Sequence, residues 1–364
     1  MGARNYDVAI AGGGIVGAAC AMECADAGLK VVVVEPRPIG GGATAAGMGH
    51  IVVMDDSPAQ IALTLYSRDL WIDMRDRLPA DVEYLHCGTI WVAADEDEMA
   101  EVHRKKLLYD GISVRTEVLD PHQLYEAEPH LRPGLAGGLL VRDDSTVYPP
   151  CAARYFVGNV AVERSAASEI TAEGIRLSGG AFLSAGATVN ATGAWAADLT
   201  PGIAVRRRKG HLAITDRYPG FVRHVLVELG YLKSAHSTTS DSVAFNAQPR
   251  RTGQVLLGSS RQYGSEGREI EPHMLSRMLR RCEEYMPELS GMNAIRTWTG
   301  FRAATPDKLP IIGRAEDGTY LATGHEGLGI TTSLATGKLI ADQILGRPSA
   351  IPIDPYLPGR EWSH

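Results

Sequence analysis

Three glycines near the amino terminus have the spacing of a phosphate-binding turn. Gly12, Gly14 and Gly17 directly follow a short apolar run, and a helical pattern begins among them. Glycine at the first position permits a tight turn, at the second it lets the backbone approach a pyrophosphate, and at the third it lets helix and strand pack closely. The free N–H groups at the start of that helix would then face the phosphates. The spacing predicts a dinucleotide site, and the alternative is that the glycines serve packing alone.

An acidic residue lies at the other position that this chemistry requires. The four valines of Val31–Val34 predict a buried strand, and Glu35 ends it. Glu35 is roughly 20 residues beyond the turn, where a carboxylate accepts hydrogen bonds from a ribose. An acid at this position disfavours a 2′-phosphate and therefore NADP. Residues 6–36 are thus predicted to form a βαβ unit that holds the adenosine-diphosphate half of a dinucleotide.

A run of small, hydroxyl-bearing and glycine residues follows this unit, from Pro36 to His50. A long loop inside a compact domain is usually functional or disordered. Its place directly after a ribose-binding acid predicts that it wraps the rest of a large cofactor, with Gly47 and Gly49 letting the backbone approach a flat ring. The alternative is a mobile surface loop. His50, at its end, is a candidate to face a substrate.

A second strand–glycine–helix corner lies far along the chain. The predicted strand 319–323 runs into Gly324–Gly329, and a helical pattern follows. Two such helix amino-termini suggest a ligand with two distant anionic groups. A flavin fits, because its pyrophosphate would take the first helix and its N1–C2=O edge, negative when reduced, the second. The strand 187–191 also ends in a glycine turn, at Thr192 and Gly193, where ligands gather in open α/β sheets.

Length and composition exclude several classes of protein. A chain of 364 residues exceeds the usual size of one hydrophobic core, which predicts two domains. A net charge of −7 disfavours nucleic acid or an anionic membrane as a partner. No run approaches the roughly 18 apolar residues of a spanning helix, and the amino terminus does not resemble a signal peptide, so a cytoplasmic protein is expected. The five cysteines form no Cys-x-x-Cys pair, so we expect no zinc or iron–sulfur site.

The order of the patterns predicts an α/β fold with two domains. A discontinuous Rossmann-like FAD-binding domain is expected over 1–80, 143–203 and 301–364. An α+β substrate domain with an antiparallel sheet is expected over 81–142 and 204–300, because these segments are rich in strands and lack further phosphate-type glycine turns. Its predicted strands include 82–84 and 113–115, and the 210–258 segment is predicted to form one wall of a pocket.

Five motifs are spread in a fixed order over the whole chain. They are the Gly12–Gly17 turn with Glu35, Asn190–Trp195, Gly300–Arg302, Thr305–Gly313 and Gly324–Gly327. Together they resemble the FAD-dependent D-amino-acid oxidase family, which includes glycine oxidase, sarcosine oxidase and the D-amino-acid dehydrogenases. Within it the chain looks most like bacterial hydroxyproline dehydrogenases and the β-subunits of opine oxidases. The resemblance implies a discontinuous FAD domain and a substrate domain that covers the flavin face.

The resemblance also assigns roles and marks two departures. The family's carboxylate-binding arginine falls on Arg302, and the alternative for that residue is a structural salt bridge with Asp307. Some members carry flavin covalently on a cysteine shortly before Thr305, and no cysteine occurs there in this chain, so non-covalent FAD is expected. The loop Gly40–His50 lacks the serine-rich form common in the oxidases, which leaves the reaction with oxygen open.

The predicted cofactor contacts come from the glycine corners, the loop between them and the family motifs. They are Gly12, Gly14, Ile15, Val16, Gly17, Glu35, Pro36, Arg37, Gly42, Ala43, Thr44, Gly47, Met48, Thr192, Gly193, Trp195, Arg302, Gly327, Leu328, Gly329, Ile330 and Thr331. The predicted catalytic or pocket residues are Arg302, His50, Tyr231 and His236, with Phe245 as a further pocket candidate.

The predicted reaction is oxidation of an amino acid, or an N-substituted amino acid, at its C–N bond. Arg302 would hold the substrate carboxylate while hydride leaves the α-carbon for flavin N5, giving an imine. One alternative is a catalytic subunit of a heteromeric amino-acid or opine dehydrogenase, which passes electrons to a partner or a quinone rather than to oxygen. The others are a non-redox FAD-binding protein and an NAD-dependent dehydrogenase.

Overall fold

The computed structural model describes residues 5–230, 241–265 and 267–361. The chain divides into two compact units. Unit 1 consists of Met1–Val82, Tyr148–Arg207 and Phe301–His364, and unit 2 of Glu83–Val147 and Arg208–Gly300. The boundaries predicted from the sequence were after residues 80, 142, 203 and 300.

The helices alternate with strands along most of the chain. They are α1 (Ile15–Asp26), α2 (Ala43–Ala46), α3 (Pro58–Met74), α4 (Glu96–Gly111), α5 (Pro121–Ala127), α6 (Pro149–Val157), α7 (Ala196–Leu199), α8 (Pro272–Tyr285) and α9 (Ser333–Ile344). Short 3-10 helices occupy Arg75–Arg77, Ala80–Val82, Gly193–Trp195, Pro287–Gly291 and Asp354–Tyr356.

The strands fall into one sheet for each unit and a small two-stranded pairing. They are β1 (Tyr6–Ala11), β2 (Val31–Val34), β3 (His50–Ile51), β4 (Thr89–Ala93), β5 (Thr116–Leu119), β6 (Gly137–Val141), β7 (Ser145–Thr146), β8 (Ala161–Glu163), β9 (Ala167–Thr171), β10 (Gly174–Leu177), β11 (Phe182–Asn190), β12 (Arg206–Arg217), β13 (Val225–Glu228), β14 (Ser242–Pro249), β15 (Gln254–Arg261), β16 (Ala294–Ala304), β17 (Ile311–Arg314) and β18 (Tyr320–Thr323).

The sheet of unit 1 has the order β17-β18-β11-β1-β2-β8, with β10 and β9 extending from β11. Strand β1 is central and parallel to both neighbours, so that Val8 lies opposite Ala187 on one side and Val31 on the other. All four residues of β2 are buried, as expected for a parallel strand that is covered on both faces. The α/β class predicted from the sequence is confirmed.

Helices α1 and α9 pack closely against each other in unit 1. A Cβ built at Gly337 of α9 would lie 2.6 Å from the carbonyl oxygen of Ala19 in α1. Glycine at this position therefore lets the two helix backbones come close together. The amino-termini of these two helices are the ones that follow the predicted glycine corners.

The sheet of unit 2 has the order β16-β12-β15-β14-β13-β4-β6-β5. Strand β13 pairs with β4 in parallel, and the β12–β15, β13–β14, β14–β15, β4–β6 and β5–β6 pairings are antiparallel. Helix α8 packs on β14 and β15, and Phe245 stacks on Tyr285 with ring centroids 4.6 Å apart. Phe245 is fully buried in this hydrophobic core, so its prediction as a pocket residue is wrong: it lies on the sheet face that α8 covers.

Two short predicted strands are also misplaced. Residues 82–84 are not a strand, because Ala80–Val82 is a 3-10 helix and Glu83 has a positive φ of 52°. The strand predicted at 113–115 begins later, at Thr116, since Ser113 also has a positive φ (59°). Neither conformation is compatible with a regular strand.

Candidate functional site

The three glycines of the first corner meet different surroundings. Gly12 has a φ of 107°, and a Cβ there would lie 2.4 Å from the carbonyl oxygen of Ala191. A Cβ at Gly17 would lie 2.1 Å from the carbonyl oxygen of Gly12. At Gly14 the nearest atom to a built Cβ is Oγ1 of Thr44, at 3.4 Å. Gly12 and Gly17 therefore allow the corner to close, whereas Gly14 leaves space in front of the helix.

The start of α1 presents backbone donors at this corner. Gly14 caps the helix without a side-chain hydrogen bond, and the first turn contains no acidic residue. The N–H of Ile15 donates to Oγ1 of Thr44 at 2.9 Å, while the N–H groups of Val16 and Gly17 have no acceptor within the helix because no earlier turn exists. Free N–H donors at a helix start, with open space before them, are the features by which helix N-termini bind anions such as pyrophosphate.

Glu35 is fixed beside the same corner. One carboxylate oxygen accepts the N–H of Gly13 at 2.9 Å, and the other accepts the N–H of Arg37 at 3.0 Å. The side chain is 12% exposed. An ionised carboxylate can accept about four hydrogen bonds, so Glu35 retains acceptor capacity for ribose hydroxyls while its position is set by the backbone.

The loop after Glu35 is packed at both ends. Near its start, the guanidinium of Arg37 lies over the ring of Trp195, 5.6 Å from the centroid. Near its end, a Cβ at Gly47 would lie 2.7 Å from Cδ1 of Ile330. Helix α2 lies between these points and carries Thr44, the partner of Ile15. The loop therefore links the first glycine corner with the second.

The second corner follows β18. Gly324 has a φ of 78° and begins the turns that lead to α9 at Ser333. A Cβ at Gly329 would lie 3.9 Å from Cγ2 of Val16, which places this corner beside the first turn of α1. The starts of α1 and α9 thus come together within unit 1.

Thr331 ties the second corner to the preceding loop. Its hydroxyl donates to the carbonyl of His50 at 2.9 Å and accepts the N–H of Val52 at 3.2 Å. Its own carbonyl accepts Nε1–H of Trp71 on α3 at 3.1 Å. Thr331 is fully buried, and its hydroxyl and carbonyl are both engaged in these contacts. Sequence reasoning missed Trp71, because apolar periodicity indicates burial but not the target of an indole N–H.

The turn after β11 is held by Asn190. Its amide nitrogen donates to the carbonyl of Ala196 at 3.0 Å and to the hydroxyl of Thr200 at 2.9 Å, and its amide oxygen accepts the hydroxyl of Thr192 at 2.7 Å. The next glycine, Gly193, accepts the Thr323 hydroxyl at 2.9 Å. The predicted contacts Thr192 and Gly193 are therefore positioned at the carboxyl end of the parallel sheet.

Arg302 lies in β16 between two buried neighbours, Phe301 and Ala303, and is itself half-buried. A Cβ at Gly327 would lie 3.8 Å from Nε of Arg302, so the side chain runs beside the second glycine corner. Asp307 forms a bidentate ion pair with Arg360, at 2.8 and 3.0 Å, and both side chains are buried. The salt bridge considered for Asp307 and Arg302 is thus made by Arg360.

Of the other residues predicted to be catalytic, the structure describes His50. His50 is half-buried at the start of β3, and burial lowers its pKa to about 3, so that its ring is neutral at physiological pH. Tyr231 and His236 lie outside the described residues. Among the residues that the structure describes, no cluster of three His, Cys, Asp or Glu side chains is arranged to hold a metal ion.

All of the predicted cofactor contacts lie in unit 1. Gly42 approaches Arg37, with 3.6 Å from a built Cβ to the guanidinium; Met48 and Leu328 are half-buried, and Pro36 and Ala43 are exposed. The donors at the start of α1, the open space at Gly14 and the carboxylate of Glu35 fit a dinucleotide. The adjoining second corner fits the remainder of a molecule the size of FAD.

A sheet with parallel central strands, two joined helix starts and an acid directly after β2 are features of a dinucleotide-binding protein of the α/β class. The model of the family described as FAD dependent oxidoreductase matches residues 7–343. The chain belongs to this family. The match confirms the family resemblance and the dependence on FAD, and it removes the NAD-dependent alternative.

Individual proteins resemble the chain over its whole length. Glycine oxidase of Geobacillus kaustophilus is 27% identical over 373 residues, covering 97% of this chain and 96% of that protein. Hydrogen cyanide synthase subunit HcnC of Pseudomonas aeruginosa is 28% identical over 417 residues, covering 98% and 96%. The crystal structure of glycine oxidase from Geobacillus kaustophilus has a TM-score of 0.87 at 26% identity and covers 98% of this chain and 99% of that one.

No helix in the described part of the chain combines the length and the apolar character that crossing a membrane requires.

Proposed function

We propose that this chain oxidises the C–N bond of a small amino acid or N-substituted amino acid, with FAD held in unit 1 and the substrate carboxylate bound by Arg302. The observation that carries the proposal is the position of Arg302 beside Gly327, in the corner that adjoins the start of α1. A guanidinium there can pair with a carboxylate through two parallel hydrogen bonds, which fixes orientation as well as affinity.

The proposed reaction is a two-electron oxidation of the substrate. The bond between the α-carbon and its hydrogen breaks, the nitrogen lone pair forms the C=N bond, and the amine loses a proton. FAD, when bound, would supply the two-electron acceptor for the hydride, and an external acceptor would regenerate it. Water hydrolyses the released imine to an oxo acid and an amine. The contribution of Arg302 is positioning, which can account for several orders of magnitude in rate.

Similarity to glycine oxidase supports an amino-acid substrate. Glycine oxidase of Geobacillus kaustophilus resembles nearly the whole chain both in sequence and in its crystal structure. Glycine, sarcosine, proline, hydroxyproline, D-amino acids and opines all present a carboxylate next to the reacting C–N bond, and all are compatible with binding by Arg302.

The direct test is anaerobic mixing of the purified flavoprotein with this panel of compounds. We expect loss of flavin absorbance near 450 nm, which reports reduction of the cofactor, with one or a few members. An Arg302→Ala variant that retains FAD should lose roughly 100-fold or more in kcat/KM, because two hydrogen bonds to a charged group are removed. Arg347→Ala, at an exposed position, is the matched control. No reduction by any member of the panel would overturn the proposal.

FAD is proposed to be held without a covalent bond to cysteine. Burial raises the pKa of Cys24, Cys87 and Cys282 to about 12, and it raises the pKa of Cys20 well above its usual value. These thiols remain protonated at neutral pH and are poor nucleophiles. Acid precipitation of the protein should leave all of the yellow colour in the supernatant, whereas a coloured pellet would contradict this assignment.

A second candidate function is that of one subunit in a heteromeric dehydrogenase. The similarity to hydrogen cyanide synthase subunit HcnC favours it. In that case the isolated chain would reduce an artificial electron acceptor with substrate but consume little oxygen. Assays of the same preparation with oxygen and with a dye acceptor separate the two functions: rapid oxygen consumption by the chain alone would rule out the requirement for a partner.

A further inference from the structure

His325 is a buried histidine in the second corner that the proposed reaction leaves without a role. It follows Gly324 directly and is 7% exposed. A Cβ at Gly329 would lie 3.3 Å from Cβ of His325 and 3.9 Å from Cγ2 of Val16. The imidazole therefore lies close to the place where the starts of α1 and α9 come together.

The hydrogen bonds of Thr336 identify which ring nitrogen carries the proton. The Thr336 hydroxyl lies 2.8 Å from the carbonyl oxygen of Thr332, which can only accept, so the hydroxyl donates to it. A hydroxyl has a single proton. Its oxygen must then accept from Nε2 of His325, which lies 2.9 Å away. Thr336 thus fixes the tautomer with hydrogen on Nε2.

The other ring nitrogen is left as an acceptor. Burial lowers the pKa of His325 to about 3, so the ring holds one proton at neutral pH, and Nδ1 carries a lone pair. No hydrogen bond to Nδ1 occurs within the described part of the chain. The neighbouring hydroxyls of Thr332 and Ser333 donate to the carbonyls of Leu328 and Ile330.

We propose that Nδ1 of His325 accepts a hydrogen bond from a ribityl hydroxyl of FAD and so positions the cofactor. The inference rests on the proposed placement of FAD across the two corners. The ribityl chain is the part of FAD that connects the pyrophosphate with the ring, and its hydroxyls are hydrogen-bond donors. The ring of His325 is neutral and lies beside both helix starts, so its Nδ1 lone pair is suited to accept from one of these ribityl hydroxyls.

The first test is independent of flavin. Histidine labelled with ¹⁵N in the apoprotein should show His325 as a single tautomer with hydrogen on Nε2, unchanged between pH 8 and 5. The assignment is made by loss of the signal in His325→Gln. Hydrogen on Nδ1, or titration near pH 6.5, would overturn the proposal, because Nδ1 would then be a donor.

The second test uses a pair of variants that separate the hydrogen bond to Thr336 from the binding of FAD. Glutamine places an amide nitrogen near the position of Nε2 and removes the acceptor at Nδ1, whereas asparagine keeps an acceptor near Nδ1 and removes the contact with Thr336. For His325→Gln we expect apoprotein stability near that of the parent and a Kd for FAD roughly 3- to 10-fold higher, as for loss of one neutral hydrogen bond. For His325→Asn we expect lower apoprotein stability with a smaller change in Kd. Equal Kd values for FAD in the parent and His325→Gln would overturn the proposal.

The third test identifies the donor on the cofactor. FAD analogues that lack single ribityl hydroxyls should bind the parent more weakly by the same 3- to 10-fold, and one of them should bind His325→Gln as well as FAD does. If N3-methyl FAD shows this pattern instead, the donor is the ring N3–H and the ribityl assignment is wrong. Failure of the parent to bind FAD at all would instead contradict the proposed placement of FAD in unit 1.

Discussion

At the scale of single residues, the hydrogen bonds of Glu35 predict how its substitution changes the affinity for FAD. Its carboxylate accepts two backbone N–H groups and is mostly buried. Glu35→Ala would leave the N–H of Gly13 without its partner and remove the proposed ribose acceptor. Hydrogen bonds to a charged group contribute about 1.5–3 kcal/mol each, so we expect the Kd for FAD to rise by roughly 10-fold or more, measured by quenching of flavin fluorescence.

The matched control for this variant is Glu173→Ala, at an exposed position of unit 1. It should bind FAD like the parent. Glu35→Gln adds a further comparison, because the amide oxygen still accepts but carries no charge. Unchanged FAD affinity in Glu35→Ala would contradict the proposed role of this residue.

Single residues were predictable where the chemistry is local. Gly12, Gly14 and Glu35 lie within one short βαβ segment, so spacing alone indicated their arrangement. The partner of Asp307 was not predictable, since Arg360 is distant in sequence and the ion pair depends on the fold. The tautomer of His325 likewise depends on Thr336, a contact that no pattern of residue types reveals.

At the scale of elements, the geometry of the corner between β1 and α1 predicts different effects for two similar substitutions, one on stability and one on FAD affinity. A Cβ at Gly17 would lie 2.1 Å from the carbonyl of Gly12, whereas one at Gly14 would meet nothing closer than 3.4 Å. Gly17→Ala should therefore destabilise the apoprotein by about 1–3 kcal/mol through overpacking. Gly14→Ala should leave the apoprotein stable and weaken FAD binding, because its methyl group would stand in front of the helix start.

Thermal unfolding of the two apoproteins and FAD titrations of both variants test this contrast. The conformation of Gly14, with φ −69° and ψ 172°, is one that alanine adopts readily. Its effect should thus appear in FAD affinity and not in Tm. If Gly14→Ala bound FAD as tightly as the parent, the pyrophosphate would not approach this corner.

Elements were predictable to the extent that periodicity alone determines them. The valines of β2 and the helical pattern of α1 gave the right elements, because a covered parallel strand is uniformly apolar. The prediction of a strand at residues 82–84 was wrong, because Glu83 adopts a positive φ that is uncommon for glutamate and could not be expected from its residue type. Phe245 is fully buried under α8, and a bulky aromatic residue in a strand gives no indication of which sheet face a helix will cover.

At the scale of the whole molecule, the lowered pKa of His325 predicts that the free energy of unfolding falls in acid. Its pKa is lowered to about 3 in the fold by burial, whereas it is near 6.5 in the unfolded chain. The unfolded state therefore binds the proton first, so the stability contributed by the neutral ring is complete above pH 6.5 and is lost as the pH falls from 6.5 towards 3. The slope of this contribution approaches about 1.4 kcal/mol for each pH unit once the pH is well below 6.5.

Urea unfolding of the apoprotein at pH 6.5 and 5.5 measures this effect. His325→Gln should lose about 1.0 kcal/mol less than the parent over that interval, because the unfolded-state ring is only half protonated at pH 6.5. His103→Gln, an exposed histidine on α4, is the control and should follow the parent. Parallel pH profiles for the parent and His325→Gln would show that His325 is not held neutral.

The central claim of the account is that Arg302 binds the carboxylate of the substrate. The most direct measurement is the ratio of kcat/KM for an oxidised amino acid to that for the amine of the same structure without its carboxylate, in the parent and in Arg302→Lys. We predict a large ratio in the parent and one lower by roughly 10-fold or more in the variant, because lysine keeps the charge but cannot form the two parallel hydrogen bonds. An equal ratio in the two proteins would contradict the claim.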